Sequence, residues 1–341
     1  MNIYNTVALL GVVNKLEQFQ PFLLNLFFPE VALFNGEKIA LDKVAKGLSL
    51  APFVSPMVGG KIQRGKGSTT VMFAPACLKP KDVVDPSRMI KRMPGEGIGG
   101  VLSTEQRRDA IVTDITLDQR NKILRRLEWM AAQVLLEGKV VVEGDNYPTV
   151  EVDFKRDAAN TITKTGAGAW GAAGVSPVDQ LEEFAHKAEA PITTVVMGKT
   201  AWKHLRADLK GDNKDLLDTR RGSRSQMELG PSAGMDVSYK GTLGSDMEIW
   251  VYTGQYDDAD GNKKTFIGDN QVILGSPAIE GVRAFGAILT PGAGYKAMEY
   301  YPRHWVGQDV EMEFIETQSA PLIIPARPDA SVCATVCASA A

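Results

Sequence analysis

Three stretches of the chain carry residue types at spacings that suggest chemistry. Gly60-Lys-Ile-Gln-Arg-Gly65-Lys66 fits most of a phosphate-binding loop, where backbone amides cradle phosphates and a lysine reaches them. The pattern then needs Ser or Thr to hold Mg²⁺, but Gly67 follows and Ser68 comes one place late. Such a loop must also open a helix, and Thr69-Thr-Val-Met-Phe73 is β-prone. The stretch therefore reads as the basic tip of an exposed hairpin. Gly95-Glu-Gly97-Ile-Gly-Gly100 has the spacing of a dinucleotide fingerprint, yet Lys91-Arg-Met-Pro94 stands where a strand is required. It reads as an entry to a helix. Asp258, Asp260, Asn262 and Asp269 follow calcium-loop spacing, but Lys263 holds the place that needs glycine. A hairpin turn at Asp260-Gly261 accounts for them better.

His186, His204 and His304 lie at no metal-ligand spacing to another His or Cys. Cys77 stands alone, and Cys333 and Cys337 sit in a small-residue tail. This usage suits a reducing compartment such as a bacterial cytoplasm. No catalytic, cofactor-binding or metal residue is assigned, and no enzyme activity is expected. The start lacks a basic region before its apolar run, so no signal peptide is read, and no apolar run is long enough to span a membrane.

Elements must place these residues. With 341 residues, 44% hydrophobic and 23% charged, the chain has the length for two compact domains and the apolar content for a core. The net charge of −3 is unevenly spread. Residues 61–126 hold fourteen basic and seven acidic side chains, and residues 127–341 hold twenty and thirty. Two solvated faces, or a basic stretch that meets the acidic surface of another copy, both fit.

Thr6 can cap a short helix through Leu16, and Pro21 opens a second over Phe22–Phe28 that Pro29 stops. The second is apolar nearly all round, so it must be buried in its own core or against a neighbour. Val54–Val58 and Thr69–Phe73 read as strands flanking a long hairpin, and Pro75–Gly100 as a long irregular connection. Ser103-Thr-Glu-Gln106 fits a capping box. Ile111, Ile115, Ile123, Leu124, Leu127, Met130, Val134 and Leu135 recur at helical spacing until Gly138. The spacing predicts one spine helix over Thr104–Glu137, about 51 Å long. A hairpin over 139–154 follows. Helices are expected from Ser176 to about Ala188 and over Thr200–Leu209, with a buried strand at Ile192–Met197. Strands then dominate: Glu248–Thr253, Lys264–Ile267, Gln271–Leu274, Arg283–Leu289, Val310–Phe314 and Leu322–Ile324. Grouped helices and strands favour an α+β class.

Several collinear islands resemble the major head (capsid) protein family of lambda-type tailed phages. They are Leu26-Phe-Phe28, Val54-Ser-Pro-Met-Val58, Gly138-Lys139 and Val150-Glu-Val-Asp153. Leu217-Asp-Thr-Arg-Arg-Gly-Ser223, Val237-Ser-Tyr-Lys-Gly241 and Tyr252-Thr-Gly-Gln-Tyr256 are densest. Tyr301-Pro302, Trp305 and Gln318-Ser-Ala-Pro-Leu322 close the series, and the tail from about Cys333 lies outside it.

The resemblance implies the Hong Kong 97 phage-type capsid fold. Its parts would be an N-terminal arm (1–50), an extended loop and return segment (51–100) and a peripheral domain with the spine helix (101–160). An axial domain (161–317) and a return to the peripheral domain with the tail (318–341) would complete it. The implied function is a shell of hexamers and pentamers that forms a virion head around double-stranded DNA, assembled in the host bacterial cytoplasm. Scaffold, portal and decoration proteins would be partners, packaged DNA would be touched weakly, and no membrane is involved. On this reading Phe22, Leu26, Phe27 and Phe28 lie on an adjacent subunit. Lys61, Arg64 and Lys66 cover a neighbour's acidic face, and Arg220 and Arg221 either bond carboxylates across an axial contact or support their own loop. Deleting residues 1–28 is then expected to leave a soluble core that forms no shells. A bacterial protein compartment of the same fold and a phosphate-loop enzyme are the alternatives.

Overall fold

The computed structural model describes residues 19–36, 38–44, 68–73, 75–91, 103–144, 147–211, 217–218, 236–244, 247–258, 260–307 and 312–337. The described residues begin with helix α1 (Phe22–Phe27) and strands β1 (Glu30–Leu33), β2 (Ile39–Val44), β3 (Ser68–Phe73) and β4 (Lys81–Val84). Helix α2 (Pro86–Ile90) and the spine helix α3 (Thr104–Glu137) precede the hairpin β5 (Lys139–Gly144) and β6 (Tyr147–Asp153). Next come β7 (Thr161–Thr163), α4 (Pro177–Ala185), β8 (Thr194–Met197), α5 (Lys199–Leu209), β9 (Leu217–Asp218), β10 (Val237–Leu243) and β11 (Met247–Tyr252). The remainder is strand: β12 (Gln255–Asp257), β13 (Lys263–Thr265), β14 (Gln271–Gly275), β15 (Gly281–Phe285), β16 (Tyr301–Val306), β17 (Glu313–Gln318), β18 (Pro321–Pro325) and β19 (Val332–Thr335).

The spine helix has the bounds that its local signals dictate. Ser103 Oγ accepts the Gln106 N–H at 3.2 Å, and Gln106 Oε1 accepts the Ser103 N–H at 2.9 Å. Gly138 ends the helix at φ +71°, where a side chain would press on Arg156. Arg156 in turn donates to the Leu135 and Leu136 carbonyls at 2.6 Å each, satisfying last-turn acceptors.

The helix serves two sheets. Its first half lays Ile111, Val112 and Ile115 on Val84 and Ile315 of the sheet ordered β16-β17-β4. Its second half, Ile123 to Leu136, enters the main core with α1 and one face of a seven-stranded sheet ordered β7-β19-β14-β8-β11-β10-β9. Val196, Trp250, Ile273 and Cys333 supply that face. The alternate residues Val195, Met197, Ile249, Val251, Val272 and Leu274 point the other way, onto Leu181 and Phe184 of α4 and Leu205 of α5.

The α+β class holds, but several placements differ from the sequence reading. Strand β3 pairs antiparallel with β2, so the base of the ribbon joins 39–44 to 68–73; Val54–Val58 lies outside the described residues. Helix α4 stops at Ala185, and the buried strand starts at Thr194. The last strands start or end elsewhere than periodicity suggested, as β17 shows by running Glu313–Gln318. The segment expected as a tail contains β19, which lies between β7 and β14 inside the large sheet. Conversely, β17 packs on the spine helix with β16 paired to its edge, although 161–317 is expected as one axial unit. Small residues made 333–337 look like a tail, but they are what a close-packed interior strand can hold.

Candidate assembly interface

The arm helix is built into its own chain. Pro21 at its start offers no capping side chain. Glu128 of the spine helix takes that role: its Oε1 accepts the N–H groups of Phe22 at 3.0 Å and Leu23 at 2.8 Å, and its Oε2 accepts that of Leu24 at 3.0 Å. Tyr252 Oη donates to the same Oε1 at 3.0 Å. One fully buried carboxylate thus ties arm, spine and large sheet together. Four donors pull its pKa down and burial pushes it up, and burial prevails, so it stands above the ordinary glutamate range. The Tyr252 hydroxyl is pushed up by burial and by that carboxylate. At the other end of α1, Arg283 donates to the Phe28 carbonyl at 2.6 Å and to Asn25 Oδ1 at 2.8 Å.

These contacts correct the placement of the arm aromatics. Phe22, Phe27 and Phe28 are buried in this chain's own core, and Leu26 is half-buried beside it. Phe22 meets Trp250 and Tyr252 at 5.5 Å between ring centroids. Burying Phe22, Leu23, Leu24, Phe27 and Phe28 contributes about 1.5–3 kcal/mol for each side chain, a large gain to surrender to a neighbour. Lys61, Arg64, Lys66, Arg220 and Arg221 lie outside the described residues, as do Gly60–Lys66, Gly95–Gly100 and the helix read at Thr6–Leu16.

The calcium-like spacing falls in a hairpin turn. Asp258 and Asn262 close the β12–β13 turn, with Gly261 at φ +78° and Lys264 paired to Asp258. A cavity of about 740 Å³ between that hairpin and the spine helix is lined by Lys122, Arg125, Arg126, Trp129 and Tyr256. Its Lys122 is paired to Asp118 at 2.7 Å. His304 Nε2 lies 2.6 Å from Glu313 Oε1, and Arg108 binds the same carboxylate. That pairing and the role of Glu128 were both missed. Glu128 was legible as a charge at helical spacing from Leu124 and Ala131, on the apolar face of the spine. The His304 cluster joins residues about 200 apart, and no local pattern marks it. Among the described residues no group of three or more His, Cys, Asp or Glu is placed to hold a metal, and no helix is long and apolar enough to cross a membrane. Burial pushes the Cys333 thiol up to about 11.

What remains unpartnered is surface. Val31 and Leu33 on β1, Val83 on β4, Ile90 on α2, Leu289 and Tyr295 on one loop, Val306 at the end of β16 and Met312 just before β17 are large and exposed.

Comparison with known proteins gives a consistent answer. Residues 5–336 match the family model described as phage major capsid protein E. The chain is 37% identical to the major capsid protein of Enterobacteria phage phi80 over 97% of this chain and 98% of that one. It is 36% identical to that of Escherichia phage lambda over 96% and 98%. The crystal structure of a prophage capsid protein from Escherichia coli CFT073 superposes with a TM-score of 0.79 at 29% identity, over 98% of this chain and 99% of that one. The match extends to residue 336, into the first residues of the tail that the resemblance left outside.

Proposed function

Because the chain belongs to the phage major capsid protein E family, we propose that its working surfaces are contacts between copies and that it carries no catalytic site. It is a major capsid protein, with the Hong Kong 97-type fold, of a tailed-phage head shell. The observation that carries this is the end-to-end likeness to named capsid proteins in both sequence and fold. Copies pack heterologously, and the rotation between them closes a shell. Hexamers and pentamers, a scaffold, a portal and a decoration protein belong to this reading, with assembly in the host cytoplasm before DNA entry. The excess of acidic groups after residue 126 supports a wall that does not hold DNA tightly. The basic residues Lys61, Arg64, Lys66, Arg220 and Arg221 are assigned to contacts between copies, where a neighbour's carboxylates would meet them.

Electron microscopy of the protein, alone and co-produced with its scaffold, tests the reading. Closed isometric shells are the expected product. A compact monomer at high concentration that yields no lattice under either condition would overturn it.

A further inference from the structure

The β4–β17–β16 sheet has one face on the spine helix and one face on which no described helix or strand packs, only the side chains of Lys81 and Arg303 over the rings. Cross-strand register places Val83 opposite Phe314 and Phe314 opposite Trp305, on the side away from buried Ile315 and Val84. Met312 extends this apolar row beyond the start of β17. Val83 is 43% and Met312 40% exposed. The rings of Phe314 and Trp305 stack at 5.5 Å.

The adjacent row is Lys81, Glu316 and Arg303. Arg303 Nε sits 3.2 Å from Glu316 Oε1, and Gln318 donates to the same oxygen. Glu316 is thereby taken. Lys81 Nζ lies over Phe314 at 4.2 Å and has no ion-pair partner among the described residues. An apolar row beside a cation that rests on aromatic rings, with no carboxylate partner among the described residues, fits an occupant with apolar side chains and one carboxylate.

The chain itself displays such a segment. Strand β1 is the edge of the sheet ordered β1-β15-β18, and edge strands present unpaired backbone groups to other chains. It reads Glu30-Val-Ala-Leu33, with Leu33 56% and Val31 47% exposed. Glu30 is exposed and makes no ion pair among the described residues. We propose that the β1 edge of a second copy seats on the outer face of the β4–β17–β16 sheet, with Val31 and Leu33 against Val83, Phe314 and Trp305 and with Glu30 on Lys81. The two surfaces differ, so the contact is heterologous and repeats from copy to copy. It rests on the head-shell reading and names one contact within it.

Shells formed from equal parts of ¹⁴N- and ¹⁵N-labelled protein, treated with a zero-length carbodiimide, test the contact. A Lys81–Glu30 cross-link carrying both isotopes is the expected product. In parallel, Lys81→Glu and Glu30→Lys are each expected to lower shell yield roughly tenfold, and the double variant to recover it. Shells that give no mixed-isotope cross-link, or a double variant no better than the singles, would overturn the contact and leave the head-shell reading standing. Unaltered protein that forms no shells would overturn the reading itself.

Discussion

The amide of Leu23 donates to the carboxylate of Glu128 at 2.8 Å, across a sequence separation of 105 residues. The arm is therefore held to the spine by a hydrogen bond inside the buried core. Replacing Glu128 with Ala would orphan the amides of Phe22, Leu23 and Leu24 and the Tyr252 hydroxyl. A loss of about 3 kcal/mol or more is expected. Urea denaturation of Glu128→Ala measures it, and cleavage near residue 20 by a dilute protease should accelerate.

Burial holds the Glu128 pKa above its ordinary value, so the folded chain keeps a proton that the unfolded chain has released. The folded state then binds more protons, and stability falls as pH rises from the ordinary glutamate value through the raised one. The contribution is complete below that window. Glu128→Gln should flatten this part of the pH profile, read from urea midpoints over mildly acid to neutral pH. An unchanged slope would refute the assignment.

Gly281 lies against the Phe27 carbonyl and the Phe28 ring with no room for a methyl group. Gly281→Ala must push the arm helix off β15. A cost of about 1–3 kcal/mol is expected, seen as a lower thermal midpoint.

Cys77 is exposed, whereas Cys333 and Cys337 are buried. Burial also raises the Cys333 thiol to about 11 and the Cys337 thiol above its usual value. A neutral aromatic disulfide reagent should titrate Cys77 rapidly in the native protein and reach the other two thiols only in denaturant. Equal rates at all three would show that β19 is not held in the sheet.

Deleting residues 1–28 takes on a different meaning with the arm in place. The truncation removes Phe22, Leu23, Leu24, Phe27 and Phe28 from the core and leaves Glu128 buried without its three amide donors. It should unfold or aggregate instead of remaining a soluble core. Cutting only residues 1–18 spares these contacts and is the sounder probe of assembly.

Much of the fold was legible where its cause is local. The capping box at Ser103, the apolar spacing from Ile111 and the stop at Gly138 fix the spine helix without outside help. Helix α1 was readable as a segment that had to be buried, but its apolar surface does not say against what. The answer depended on Glu128, Trp250 and Tyr252, which only tertiary structure brings near. The pairing of β3 with β2 was not legible for a similar reason, since β propensity marks strands and not their partners. The face carrying Val83, Phe314 and Trp305 has no sequence signature, because its row draws on three strands scattered from residue 81 to 318.

Strand β19 lies between β7 and β14, yet it leaves the ribosome after both. The edge of β14 must therefore stand open during synthesis, and β7 must wait without a partner strand, until β19 arrives. In a cell producing many copies at once, those gaps invite strands from other nascent chains. Emergence of β19, more than docking of the arm, is then the step at which a chain becomes fit to join its siblings.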